Sequence, residues 1–246
     1  MTPVVDDQLG RKALAELIGS MLLAATVVGS GIAAQRRSPN DEGLQLLENS
    51  LITGAVLVAL ILALGPVSAA FNPVVTLAER ALGAVTTRAA AVLIAAQVAG
   101  CCVGVVLANL MFGLDPVVVA ATERSGAALW LGEVVATFGL LVVIFGVSRA
   151  GRDAHIAYAV GGYITAAYWF TSSTSFANPA ITVARALSDT FAGIDPGSVP
   201  AYVLAQLVGG ALGLGVVLAL YPQARELAAQ LTGAPPPTPD QESAPS

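Results

Sequence analysis

Charge is the scarcest property of this chain. Only 11% of its 246 residues are Asp, Glu, Lys or Arg, where a soluble domain carries about 25%. That shortage excludes an ordinary water-facing fold. Aromatic residues are also few, at 6%, which argues against the aromatic girdles of a membrane β-barrel. There is one histidine. No His/Glu metal spacing and no Ser or Cys nucleophile with a base accompanies it, so an intramembrane enzyme lacks support and neither metal nor cofactor is expected. The two cysteines, Cys101 and Cys102, are neighbours inside an apolar run. Adjacent helical residues point in different directions, so they read as packing residues and not as a disulfide. No basic cluster points to nucleic acid. The net charge of -5 says little, because the few charges fall in loops and tails. No cleavable signal peptide is evident: the first apolar run follows polar residues and is long enough to span.

What remains is hydrophobic. The chain is 56% apolar with a mean hydropathy of +0.77, which marks an integral membrane protein. Its 25 glycines allow helices to approach closely, as in a compact transmembrane bundle. Six apolar segments reach the spanning length of about 20 residues. They run over 12–34, 46–65, 88–112, 128–148, 155–171 and 200–221. Two shorter stretches, 72–82 and 178–187, are too short to cross and read as re-entrant half-helices. We expect an N-terminal segment over 1–11, a channel domain over 12–222 with halves at about 12–112 and 128–222, and a disordered tail over 223–246 rich in Pro, Ser and acidic residues.

The chain repeats itself. Asn72-Pro73-Val74-Val75-Thr76-Leu77-Ala78-Glu79 returns as Asn178-Pro179-Ala180-Ile181-Thr182-Val183-Ala184-Arg185. Asn is a strong N-cap and Pro suits the first helical turn, so each copy opens a short helix. Glu16 in the first span matches Glu133 in the fourth, 117 residues on; the motifs lie 106 apart; Gln97-Val98-Ala99-Gly100 matches Gln206-Leu207-Val208-Gly209, 109 apart. Three spans per half is an odd number. The second half must therefore run upside down relative to the first, the inverted-repeat plan. Arginine and lysine in the loops set the orientation. Cytoplasmic termini place Arg11, Lys12, Arg80, Arg88, Arg149, Arg152 and Arg225 on that side, against Arg36, Arg37, Arg124 and Arg185 on the other.

Non-helical backbone at membrane depth is tolerated only where it is buried in protein or lines a cavity. Residues 65–71 and 171–177 lead into the half-helices, and their carbonyls offer a ladder of acceptors along a water path. The Asn72 and Asn178 amides are donors where the two positive helix ends converge, which disfavours protons and cations. Glu16 and Glu133 can be read as proton relays. Their matched placement favours acceptors for loop amides instead. Arg152, Asp153 and His155 read as a solvated loop.

These residues together resemble the aquaporin (major intrinsic protein) family, over about 12–222. The resemblance implies an all-α membrane protein of six transmembrane helices plus two half-helices, assembled as tetramers with one pore per subunit. It carries Asn72, Pro73, Val74, Asn178, Pro179 and Ala180 to the pore centre, with Val74 in place of the usual Ala. It carries Glu16 and Glu133 to loop anchoring. Three departures bear on the filter. The usual Arg after the second motif is Ile181, with Arg185 one turn on. The fifth-span position, often His, falls near Ala166 by counting back from Asn178. The second-span position, often aromatic, falls at Thr53 or Ile52, and the loop before the first motif is short. With Ser175, the set Thr53, Ala166, Ser175 and Ile181 predicts a wide, weakly cationic filter. The segment 178–194 also resembles the aquaporin branch associated with bacterial arsenic resistance, which implies a neutral metalloid acid as a solute. Arg185 either leans back to the filter or pairs with Asp189 to hold the outer loop.

The expected function is a passive channel in the cell's inner membrane for water and small neutral solutes such as glycerol, urea or arsenous acid. The competing class is an ion-coupled secondary transporter. It is disfavoured because no paired ionisable residues sit mid-span.

Overall fold

The computed structural model describes residues 5–149 and 152–221. The tail expected from 223, with Arg225, lies outside the described residues, as do residues 1–4. Among the described residues eight α-helices follow in order: α1 Val5–Arg37, α2 Glu42–Leu64, α3 Pro73–Ala81, α4 Thr87–Met111, α5 Ala127–Arg149, α6 Ile156–Phe170, α7 Pro179–Arg185 and α8 Val199–Leu220. A 3-10 turn, Asp153–His155, precedes α6. No strand occurs among the described residues.

Five of these helices, α1, α2, α4, α5 and α8, are long and apolar enough to cross a membrane. The fifth expected span is shorter than its apolar run. Helix α6 has 15 residues, about 22 Å of axis. Its start is taken up by the 3-10 turn. At its end Thr171 turns extended, and the Thr171 hydroxyl donates to the Ala167 carbonyl at 2.7 Å.

Polarity is inverted relative to a soluble bundle. Leu14, Leu62, Val103, Leu110, Trp130, Trp169, Phe170 and Leu204 are exposed, while Glu16, Gln97, Glu133 and Gln206 are fully buried. An outward apolar band of this kind faces hydrocarbon, and the two carboxylates and the glutamine amide nitrogens find partners within, whereas Gln97 Oε1 and Gln206 Oε1 have none.

Glycine decides how closely the two halves close. Helix α1 packs on α4 and α5 on α8. A side chain at Gly100 or Gly104 would strike the Leu17 or Met21 carbonyl of α1. One at Gly209 or Gly213 would strike the Val134 or Phe138 carbonyl of α5. The struck residues are 117 apart, as Glu16 and Glu133 are, and the glycines 109 apart, as the glutamines are. The same close helix pair is thus built twice. Helices α2 and α6 meet across the middle through Gly54 and Gly161, each of which faces the other's backbone carbonyl. Small residues set this approach where no hydrophobic force acts between helices.

Candidate pore and its filter

Each half-helix begins at an asparagine that does two jobs. Asn72 is extended at φ -152°, and its Oδ1 accepts from the Val74 amide at 2.9 Å. Asn178, at φ -155°, accepts from the Ala180 and Ile181 amides at 3.0 and 3.3 Å. The oxygens therefore cap, and the amide nitrogens remain free to reach across. Asn72 Nδ2 donates to the Ala177 carbonyl at 2.7 Å, and Asn178 Nδ2 donates to the Phe71 carbonyl at 2.7 Å. The exchange maps onto itself when the halves are swapped. Each amide keeps a second N–H, and both residues line the central cavity.

The chain before each asparagine is strained. Phe71 and Ala177 both sit at φ 47°, with Thr174 and Ser175 also left-handed at 60° and 49°. Such conformations cost about 1–3 kcal/mol each and persist only where surroundings over-determine them. Two buried glutamates supply that constraint. Glu16 accepts from the Ala70 amide (2.9 Å), the Phe71 amide (2.7 Å), the Ser68 hydroxyl (2.5 Å) and Gln97 Nε2 (2.8 Å). Glu133 accepts from the Phe176 and Ala177 amides (both 2.8 Å) and Gln206 Nε2 (2.6 Å). The glutamines extend the chain of contacts. Gln97 also donates to Thr76 Oγ1 at 2.9 Å, and Gln206 to Thr182 Oγ1 at 2.8 Å. Each carboxylate is thereby tied to its re-entrant loop directly and to its half-helix through one glutamine.

The cavity has a volume of about 430 Å³. One face of α6 lines its length through Ile156, Val160, Ile164 and Tyr168, a spacing of four, and α2, packed beside α6, contributes Thr53, Leu57 and Ile61. Lys12, Glu79 and Asp153 mark one end, and Tyr168, Thr53 and Ile181 the other. Residues 65–70 of the first loop line it throughout. Of the second loop only Ser175, Phe176 and Ala177 do so. The Ser172 hydroxyl bonds instead to the Ala128 carbonyl at 2.7 Å.

Of the expected filter residues, Thr53, Ser175 and Ile181 reach the cavity, and all three are buried. Ala166 does not. It is exposed on the outside of α6, because two residues along a helix rotate a side chain by about 200°. Tyr168 takes the place instead, with its hydroxyl 3.3 Å from Thr53 Oγ1. Counting back from Asn178 thus gave a residue outside the cavity. The four-residue spacing of Ile156, Val160, Ile164 and Tyr168 was the signal that finds it. Phe176 was also missed as a wall residue.

Arg185 does not take Asp189 as its partner. Its Nε donates to the Ala192 carbonyl, and its guanidinium stacks 3.4 Å from the Phe176 ring centroid. Asp189 accepts from the Ala121 amide at 3.0 Å. Arg152, Asp153 and His155 are exposed, and both cysteines are free thiols.

This chain is similar to known proteins in sequence and in fold. The family model described as "Major intrinsic protein" matches residues 4–155. Aquaglyceroporin AqpS of Rhizobium meliloti (strain 1021) is 47% identical over 223 residues, covering 90% of this chain and 95% of that protein. Aquaporin NIP1-2 of Arabidopsis thaliana is 29% identical over 153 residues, 58% of this chain and 51% of that one. The X-ray structure of the aquaglyceroporin from Plasmodium falciparum shares the fold, with a TM-score of 0.67 over 88% of this chain and 98% of that one at 17% identity.

Proposed function

The chain belongs to the major intrinsic protein family, and on that premise we propose how its pore selects solutes. It is a passive membrane channel for water and small neutral solutes such as glycerol. We assign the pore centre to Asn72, Pro73, Val74, Asn178, Pro179 and Ala180, and the anchoring of the re-entrant loops to Glu16 and Glu133. The filter comprises Thr53, Tyr168, Ser175, Phe176 and Ile181. The chain acts as a channel and not as an enzyme.

The observation that carries this reading is the reciprocal exchange between Asn72 and Asn178 inside a continuous cavity. It holds two helix N-termini face to face, each aimed at the path. A neutral solute can accept from the remaining amide hydrogens there, whereas a cation meets two positive dipole ends. The apolar wall position Ile181 supports a filter wider than one narrowed by a guanidinium. Glycerol, urea and a neutral metalloid acid such as arsenous acid are the solutes that fit. The loop charges support cytoplasmic termini in the cell's inner membrane, and the family resemblance supports a homotetramer with one pore per subunit.

The test is flux into proteoliposomes of the purified protein, with water, glycerol, urea and arsenous acid measured side by side. Passage of water together with at least one larger neutral solute is expected. Water flux with exclusion of all three larger solutes would reject the wide filter.

A further inference from the structure

The two half-helices turn the same face to the path but treat its last residue differently. In α3, Asn72, Val75 and Glu79 line the cavity. They stand three and four residues apart, on one face of a helix. The matching residues of α7 are Asn178, Ile181 and Arg185. Asn178 and Ile181 line the cavity as well. Arg185 does not: its Nε donates to the Ala192 carbonyl and its guanidinium stacks on the Phe176 ring. The second half-helix withdraws its charged side chain from the path, and the first keeps a carboxyl group in the wall.

Local physics opposes a carboxyl group at this place. Glu79 is 9% exposed, and burying a polar group without partners costs free energy. It lies in the last turn of α3, at the negative end of the helix dipole, where an acid is disfavoured. Its main-chain carbonyl accepts from the Ala84 amide at 2.9 Å. Among the described residues no hydrogen bond reaches its carboxyl oxygens. Glu16, the other buried acid of this half, shows the contrast: four donors converge on it. A residue that breaks local rules with no compensation from the fold marks a functional position. Lys12 and Asp153 line the same end of the cavity, among the apolar side chains of Val85, Leu93 and Ile156.

We propose that Glu79 is a solute-binding residue at this end of the pore, its carboxyl oxygens accepting from paired hydroxyls of a small neutral solute, a vicinal diol or a polyhydroxy acid. The inference rests on the channel reading above and deepens it. A carboxyl group offers its two oxygens side by side, so two donors held next to each other bind it together, as the fork of a guanidinium does. Neighbouring hydroxyls of one solute make such a pair. The two O–H groups of a water molecule diverge and reach it one at a time. Along α2 and α6 the wall is apolar, with Leu57, Val160 and Ile164, and strips a polyhydroxyl solute of partners. Glu79 restores them where the solute enters or leaves that stretch.

The experiment uses the purified full chain in proteoliposomes. Initial glycerol flux is measured against glycerol concentration, with water flux in the same vesicles. Wild-type glycerol flux is expected to saturate. Glu79→Leu is expected to raise the half-saturation concentration by about tenfold, the loss that follows removal of a hydrogen bond to a charged group, and to lower the glycerol-to-water flux ratio severalfold. Glu79→Gln keeps one acceptor oxygen and is expected to fall between the two. Wild-type flux that rises linearly without saturating overturns the proposal, as does an unchanged half-saturation concentration in Glu79→Leu. Equal losses of glycerol and water flux also overturn it, since a changed bore and not a lost acceptor would then be the cause. Should Glu79→Leu fail to assemble, Glu79→Gln, which has nearly the same shape, carries the test. A rise of about threefold in half-saturation concentration is expected, and no rise overturns the assignment. Wild-type vesicles that pass neither water nor glycerol would overturn the channel reading itself, a result distinct from normal wild-type flux with unaltered Glu79 variants.

Discussion

At the scale of single residues, two asparagines and two glutamates hold the half-helix starts and their loops in shape. Asn178→Ala removes the cap of α7 and the donor to the Phe71 carbonyl. A buried carbonyl left without its partner costs about 1–3 kcal/mol, and loss of the cap about 1 kcal/mol. We expect lowered flux together with a lower melting temperature, and the same for Asn72→Ala; wild-type flux in both purified variants would remove the pore-centre assignment. Glu16 gathers four donors. Glu16→Ala strands them, and because hydrogen bonds to a charged group contribute about 1.5–3 kcal/mol each, we expect a protein that does not assemble in membranes. Expression followed by size-exclusion chromatography of Glu16→Ala and Glu133→Ala checks this. Ile181→Arg should cut glycerol and urea flux by about tenfold or more while sparing water, since a guanidinium narrows the wall; stopped-flow measurement of all three solutes reads the difference.

The asparagine pair was legible in the sequence because capping chemistry is local: Asn then Pro opens a helix wherever it falls. The glutamates were legible through their matched positions in the repeat. Tyr168 was not found because the count ran through Thr174, Ser175 and Ala177, where left-handed backbone breaks any fixed residue spacing. Phe176 was hidden for a related reason. Only the fold brings it against Arg185, nine positions away across a helix that the sequence places but does not orient.

At the scale of elements, the hydrophobic runs located the helix ends to within four residues, since a membrane demands apolar length, except that α1 begins at Val5, seven residues before the expected start. The ends were less legible. Helix α6 gave up His155 to a 3-10 turn and Thr171 to its extended cap, and neither event leaves a hydropathy signal. Helix contacts were only partly readable. Glycines were abundant, but the sequence did not say which ones face backbone. The structure separates them: Gly104 and Gly209 abut carbonyls of the neighbouring helix, whereas Gly162 and Gly215 have open space at the Cβ position. Gly104→Val and Gly209→Val should force apart α1 and α4, or α5 and α8, and lower the melting temperature sharply, as overpacking costs about 1–3 kcal/mol or more. Gly162→Ala and Gly215→Ala should be neutral or stabilising by up to about 1 kcal/mol, because Ala is the better helix former. Thermal unfolding in detergent by fluorescence checks the ordering; equal shifts in both pairs would contradict it.

At the scale of the whole molecule, this channel is expected to move neutral solutes and no charge. The cavity runs the length of α6 past two opposed helix N-termini. The charged groups that line it, Lys12, Glu79 and Asp153, gather at one end, and among the described residues the middle of its lining holds no pair of charged residues at which a coupling ion could bind and be released. Placing an uncompensated charge at mid-membrane would cost at least about 2.5 kcal/mol even on the mildest scales. The most direct measurement follows glycerol in proteoliposomes containing only this protein, first down its own gradient and then with a proton gradient, a sodium gradient or a membrane potential imposed. The expected result is a rate set by the glycerol gradient alone and an endpoint of equal concentration on both sides under every condition. Accumulation of glycerol above the outside concentration, driven by any of those gradients, would contradict it and make the protein a coupled transporter.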